Sequence, residues 1–341
     1  MRIAIINPSD MEVTNGKIGG NQRFAQKLSE SIKKYTKHKV IEINTPFKEH
    51  PLSNILKSYF SNKKIDLTDY DLVISIKFPS YILYHKNHIS LINHRMRQFD
   101  DLWQEYSKEY IGIKLFQRKL MKIFLRVIDR YYLKKAKKIF AQSENIKKRL
   151  LKIGVKSEVV YPPESLKGLG LGKQKYLFLP GRLDDKRKRI SLAINAMKYV
   201  DRNIKLIISG DGFDKETLKK IAKNDKRIEF TGYVEDNKLA KLYRDALAVI
   251  FIPAAEDYGL ITIEAMKCAK PVITCYDSGG PVELVRNMQN GFVCRPNPKN
   301  IAECINYLVN NKSEQLRMGK NALNSAKNIT WENYVKKVLS E

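Results

Sequence analysis

Two carboxylates, Glu256 and Glu264, stand eight residues apart with Gly259-Leu260 between them, directly after the apolar run LAVIFIP (247–253). A helix is expected to begin near Leu260. Glu264 would then lie about one turn in, where its oxygens can accept hydrogen bonds from vicinal hydroxyls. The N–H groups of Gly259 and Leu260 would face an anion at the helix N-terminus, and Glu256 would reach the reacting group from just before it. Cations gather on an earlier run, YLFLPG (176–181), which ends in Gly181-Arg182-Leu183 and continues through Asp184, Asp185 and Lys186-Arg187-Lys188-Arg189. Arg as a bidentate fork and Lys as a point charge suit a diphosphate, although a solvated loop would show the same residues. Two further runs end in Ser209-Gly210-Asp211-Gly212 and Thr231-Gly232-Tyr233-Val234, small residues against which a flat base can lie. Near the start, NGKIGGN (15–21) places Gly16, Gly19 and Gly20 before a helix. Its spacing is not G-x-G-x-x-G, and a structural turn explains it equally well.

The elements that must position these residues are strands alternating with helices. RIAIIN (2–7), KVIEIN (39–44), DLVISI (71–76), ISLIN (89–93), KIFAQS (138–143) and SEVVYP (157–162) are short β-rich runs, separated by helical stretches such as 22–34 and 114–135. After Pro162, Pro163, Gly168, Gly170 and Gly172 the pattern restarts with six more runs, from YLFLPG to GFVCRP (291–296). This alternation predicts an α/β chain of two doubly wound parallel-sheet domains, which bind ligands at the carboxyl ends of their strands and would face each other across a central cleft. The expected bounds are 1–165 for the first domain, 166–175 for a linker, 176–327 for the second, and a last helix in 328–341 that packs back on the first.

The length of 341 residues is enough for two cores, and 43% hydrophobic residues exclude a disordered chain. No apolar run approaches a membrane span, and the N-terminus reads as a first strand rather than a signal peptide. Cys268, Cys275, Cys294 and Cys304 form no C-x-x-C pair, so free thiols in a reducing cytosol are expected, with neither disulfide nor zinc site. The formal charge is +27, which points to anionic partners. Residues 108–156 hold 16 basic and 3 acidic residues, with Lys114, Arg118, Lys122, Arg126, Arg130, Lys134 and Lys138 recurring every four. Apolar residues between them, among them Phe116, Leu120, Ile123 and Val127, make this a long amphipathic helix. Its basic stripe is either a solvated face or a surface resting on anionic headgroups. No nucleic-acid-binding signature accompanies it.

Other candidates fall away. GLGLGK (168–173) lacks the phosphate-loop spacing and reads as a hinge; Asp69-Tyr70-Asp71 precedes its strand and reads as a turn, not a metal pair. His38 and His50 are expected at the surface.

The chain resembles the large retaining family of GT-B nucleotide-sugar glycosyltransferases (family 4-like, group 1), most strongly over 176–294. The family's G-R-L…K segment is matched by Gly181-Arg182-Leu183…Lys188, its E-x7-E by Glu256…Glu264, and its G-G-P-x-E by Gly279-Gly280-Pro281-Val282-Glu283. In the first domain INHRMRQFDDLW (92–103) is similar to an H-T-P-M-R…D-L stretch of a mannosyltransferase-like subset, one residue shorter and without its Pro.

The resemblance implies roles. Arg182 and Lys188 would hold the donor diphosphate and stabilise the leaving group; the family's usual spacing falls on Arg187, while the downstream Arg-Ile-Ser-Leu run selects Lys188. Glu264 would bind the ribose hydroxyls, Gly259 and Leu260 the phosphates, and Val234 the base, with Gly210 and Gly232 on neighbouring strand ends. Glu256 would contact the donor sugar, His94 its hydroxymethyl, with Arg97 following; Gly19 and Gly20 match the first-domain glycine pair. The implied reaction is retaining hexosyl transfer from a nucleotide sugar, GDP-mannose ahead of UDP-hexoses, without metal or other cofactor. The acceptor would be a glycan or polyprenyl-linked glycan, at the inner face of an anionic membrane. Competing readings are a nucleotide-sugar 2-epimerase on the same fold and a non-enzymatic anion or nucleic-acid binder.

Overall fold

The computed structural model describes residues 1–9, 20–47, 52–201 and 203–340. The chain divides into two compact units, Met1–Ser165 with Trp331–Glu341, and Leu166–Thr330. Unit 1 holds β1 (Arg2–Ser9), β2 (Lys39–Pro46), β3 (Leu72–Ile76), β4 (His88–Ile92), β5 (Lys138–Ala141) and β6 (Glu158–Val159) in the order β2-β1-β3-β4-β5-β6. Unit 2 holds β7 (Tyr176–Pro180), β8 (Leu206–Ser209), β9 (Ile228–Gly232), β10 (Ala246–Ile250), β11 (Val272–Cys275) and β12 (Gly291–Cys294) in the order β12-β11-β10-β7-β8-β9. Every strand pairing is parallel.

The inner strands are covered on both faces, which is why they read as continuous apolar runs, whereas the edge strands β2 and β9 are partly exposed. Ile3, Ala4, Ile5 and Ile6 are all fully buried, and every residue of β3 and β4 is buried. In each sheet the strand order reverses once, between β1 and β3 and between β7 and β10. Loops leaving the carboxyl ends of those pairs splay apart and open a crevice, so the fold itself selects the loops after β7 and β10.

The last helix, Trp331–Leu339, completes the core of unit 1. Trp331 lies 5.6 Å from Phe24 and Tyr334 5.8 Å, ring centre to ring centre, and Trp331 Nε1 donates to the Glu164 carbonyl at 2.8 Å. Residues 166–175 run along unit 2: Leu166 is buried in its core, and a Cβ on Gly172 would lie 2.5 Å from the Arg244 carbonyl oxygen. The four cysteines are free; Cys275 and Cys294 stand opposite each other on β11 and β12. Asp71 accepts from the Arg2 amide at 2.6 Å and Asp69 lies 3.8 Å from the Arg2 guanidinium, so this pair pins the start of β1. His38 is half-buried, 3.4 Å from the N-terminal amine, and His50 lies outside the described residues. Among the described residues no helix is long and apolar enough to cross a membrane.

One expectation needs correcting. The helix expected over 114–135 spans Gly112–Leu133, but its apolar residues do not share one buried face. Leu125, Tyr132 and Leu133 are buried in the unit 1 core, whereas Phe116, Leu120, Ile123, Val127 and Tyr131 are exposed.

Candidate active site

The loop after β7 passes through Arg182 into the short helix Asp185–Lys188 and turns at Arg189, a non-glycine residue at φ +54°. Such a left-handed residue costs free energy and persists only where its surroundings hold it. Here Asp277, in the loop after β11, grips the Arg189 guanidinium through two bonds of 2.8 and 2.6 Å. This pairing raises the Arg189 pKa and lowers that of Asp277.

The loop after β10 is tied to both of these loops. Ala254 N–H donates to the Arg187 carbonyl (2.8 Å), Ala255 N–H to Asp277 (2.9 Å) and Glu256 N–H to Ser278 (2.8 Å), while Gly280 N–H donates to the Glu256 carbonyl (2.9 Å). The close approach depends on Gly279, at φ +77°, where a Cβ would sit 2.3 Å from the Glu256 carbonyl oxygen. Three loops from three strands are thereby fixed to one another, and Glu256 has its backbone held from both sides.

On this scaffold Lys188 Nζ donates to Glu256 Oε2 at 2.6 Å, both side chains being largely covered. The two residues singled out separately in the sequence are joined. Arg187 instead exposes its guanidinium, 3.7 Å from Asp184, so Lys188 is the cation that the geometry sets beside Glu256. Arg182 is exposed and 3.6 Å from Asp184.

Gly259 (φ +85°) caps the helix Leu260–Lys267, and a Cβ there would lie 2.6 Å from the Phe251 ring. Leu260 is half-buried at its first position, and Glu264, also half-buried, is one turn further on. The buried Tyr243 hydroxyl donates to Glu264 Oε2 at 2.5 Å, holding the carboxylate from behind. Burial and the Glu264 charge together push the Tyr243 pKa well up, so it stays a donor. Sequence reasoning missed Tyr243 and the Arg189–Asp277 pair, because neither has a spacing signature.

At the neighbouring strand ends, Gly181 N–H donates to Ser209 O and Gly210 N–H to Gly232 O, both at 2.9 Å. Gly210 (φ +137°) has the Gly181 carbonyl oxygen 1.8 Å from where a Cβ would be. Gly232 is at φ +67°, and Val234 buries its side chain in the unit 2 core.

In unit 1, His94 follows β4 and is half-buried. Burial and the neighbouring cations of Lys77, Arg97 and Arg149 push its pKa down to about 3, so the ring is neutral. Arg97 is engaged by Asp101 at 2.7 Å, and Asp101 also pairs with Arg149 at 3.1 Å. Gly20 opens the helix Gly20–Tyr35 with open space where its Cβ would be, and Gly19 lies outside the described residues. A cavity of about 270 Å³ between that helix and Trp331–Leu339 is lined by Tyr35, His38 and Glu332 among others, and by none of the expected site residues.

Two doubly wound parallel sheets, with a cation–carboxylate pair at the switch point of the second, define the GT-B class of α/β proteins. Residues 163–325 match the family Glycosyl transferases group 1. An uncharacterized glycosyltransferase of Methanocaldococcus jannaschii is 30% identical over 196 residues, covering 56% of this chain and 53% of its own. Human alpha-1,3/1,6-mannosyltransferase ALG2 is 27% identical over 177 residues, covering 46% and 42%. The chain thus spans about half the length of these curated relatives. Sucrose-phosphate synthase from Thermosynechococcus elongatus shares the fold, with a TM-score of 0.76 at 16% identity over 98% of this chain and 96% of that one.

Proposed function

We propose that this protein is a retaining, metal-independent glycosyltransferase that moves a hexose, mannose by preference, from a nucleotide sugar to a glycan or lipid-linked glycan acceptor. The observation that carries the reading is Lys188 meeting Glu256 at the carboxyl ends of β7 and β10, with Glu264 one turn into the adjoining helix. Lys188 and Arg182 hold the donor diphosphate and stabilise the charge that develops on it as it leaves. Gly259 and Leu260 present a helix N-terminus to the phosphates. Glu264, steadied by Tyr243, accepts from the ribose hydroxyls, while the base lies along Gly210, Gly232 and the Val234 backbone.

The sugar C1–oxygen bond to the diphosphate breaks, and the acceptor oxygen bonds to C1 on the same face. The acceptor's proton passes to the departing phosphate oxygen. A carboxylate already held by an ammonium is a poor nucleophile, so Glu256 orients the sugar and forms no covalent intermediate. The neutral His94 ring suits a sugar hydroxyl better than an anion, with Arg97 beside it. The preference for mannose is supported by Glu256-Asp257-Tyr258-Gly259, which resembles the E-D-F-G form common among mannosyltransferases, and by the mannosyltransferase named among the relatives. The acceptor is placed at the inner face of an anionic membrane, which the basic stretch 108–156 would meet.

A thermal-shift and calorimetry panel of GDP, UDP, ADP and their sugars tests the donor. GDP-mannose should bind tightest, and Glu264→Ala should abolish the binding. Unchanged binding in that variant would overturn the donor-site assignment. An epimer accumulating from nucleotide sugar alone would favour the isomerase reading, and activity lost in EDTA would refute metal independence.

A further inference from the structure

Helix Gly112–Leu133 carries apolar residues on two opposite faces. One face seats Leu125, Tyr132 and Leu133 in the unit 1 core. The other presents Ile113, Phe116, Leu120, Ile123, Val127 and Tyr131, each between 51% and 78% exposed. At about 100° per residue these six fall within roughly 80° of one another, a single ridge running most of the helix. A soluble surface scatters its exposed apolar side chains, and a continuous ridge marks something that covers it.

The charges around the ridge say what that is. Lys119, Arg126 and Arg130 are exposed and line one long edge of it, within about 60° of the ridge by the same helical count. The helix has a single acid, Asp129, which is 1% exposed and neutralised inside the unit by Arg95 at 2.9 Å and by the Tyr59 hydroxyl at 2.7 Å. The helix therefore offers no exposed carboxylate. A second copy laid on the ridge would bring cationic edges together with nothing on either helix to answer them. A polyanion such as RNA would meet the cations and leave the ridge wet. An anionic bilayer satisfies both, taking apolar side chains below the headgroups and cations at the level of the phosphates.

We propose that this ridge is a membrane-docking surface, seating unit 1 on anionic lipid with the helix lying in the plane of the interface. This deepens the membrane part of the function proposed above, and it is independent of the donor site. It differs from a purely electrostatic contact because the apolar ridge inserts.

The test uses the full chain and vesicles of phosphatidylcholine with or without phosphatidylglycerol. Co-sedimentation should favour the anionic vesicles by at least about tenfold, weaken with salt, and retain a salt-resistant fraction. The triple variant Phe116→Gln, Ile123→Gln, Val127→Gln should lose that fraction, while its thermal midpoint and nucleotide binding stay those of the unchanged chain. Phe116→Trp, which keeps the ridge apolar, should gain blue-shifted fluorescence on anionic vesicles after the signal of the chain's own tryptophans is subtracted. Unbound wild-type chain, a triple variant that binds as well as wild type, or an unshifted emission from the Phe116→Trp variant would each overturn the proposal. So would a wild-type dimer that the triple variant makes monomeric, since the ridge would then belong to a second copy. Nucleotide binding, measured alongside, reports on the donor site whichever way the vesicle result falls.

Discussion

Lys188 and Glu256 lie 68 residues apart in the chain and 2.6 Å apart in the fold, joined across the loops that follow β7 and β10. The pair makes each member conditional on the other. If Lys188 holds the donor diphosphate as proposed, Lys188→Ala removes that contact together with the ammonium from which Glu256 Oε2 accepts, so donor affinity should fall by about tenfold and transfer by at least about a hundredfold. Glu256→Gln keeps the shape, so donor affinity should change by no more than about threefold while kcat falls about a hundredfold. The double variant should be little worse than Lys188→Ala alone, because neighbouring residues that act as a unit are not additive. Donor calorimetry and initial rates on the three variants check this.

Glu264 Oε2 accepts from the Tyr243 hydroxyl, and removing that support should show in binding before stability. Tyr243→Phe keeps the buried ring and loses one hydrogen bond to a charged group, about 1.5–3 kcal/mol. Because Glu264 is half-buried and can turn to water, the expected effect is a donor KM raised about three- to tenfold, with kcat within about twofold. A fall in kcat at unchanged KM would contradict the assignment of Glu264 to the ribose.

The strands and the E-x7-E carboxylates were legible in the sequence. A parallel strand buried on both faces has to be a continuous apolar run, and Glu264 follows from a helix start near Leu260. The choice between Arg187 and Lys188 was not legible. Adjacent residues of a helical turn point about 100° apart, and which one meets Glu256 depends on how Ala254 and Asp277 clamp that turn. The second apolar face of Gly112–Leu133 was hidden for a related reason. Periodicity separates apolar from polar positions but does not say which apolar face the core will cover.

Three glycines separate a backbone need from a ligand need. Gly210→Ala would place a Cβ 1.8 Å from the Gly181 carbonyl oxygen, and Gly279→Ala 2.3 Å from that of Glu256, both at positive φ. Each should cost several kcal/mol, about 3 or more, and lower the thermal midpoint by well over 5 °C. Gly20→Ala meets nothing within 4 Å and is helical, so the midpoint should hold or rise. If Gly20 faces the substrate, activity should fall with stability intact.

Acid should destabilise the protein through its histidines. His88 is 2% exposed and accepts or donates one bond with Ser75 Oγ at 2.8 Å; burial, with the His85 charge, pushes its pKa down to about 3. His94 is pushed to about 3 by burial and by Lys77, Arg97 and Arg149. An unfolded imidazole titrates near 6.5, so between about pH 6.5 and 3 the unfolded chain binds more protons than the folded one. Stability from these rings is complete above about pH 6.5 and falls as pH drops, by up to about 1.4 kcal/mol per pH unit for buried His88 and less for half-exposed His94. Urea denaturation at pH 7, 6 and 5 should show this slope, and His88→Gln should flatten it.

The packing of Trp331 and Tyr334 against Phe24 has a consequence for how the chain is made. Residues 1–165 of unit 1 precede unit 2 in the chain, yet their core lacks a wall until the ribosome has passed all of unit 2. Unit 2 is a continuous insert that could mature first, and unit 1 must wait with Phe24 uncovered for about three hundred residues of synthesis. Trp331–Leu339, translated after unit 2, thus closes a core whose other residues are translated before it, and a ribosome that stalls within unit 2 would release a chain whose unit 1 is unfinished.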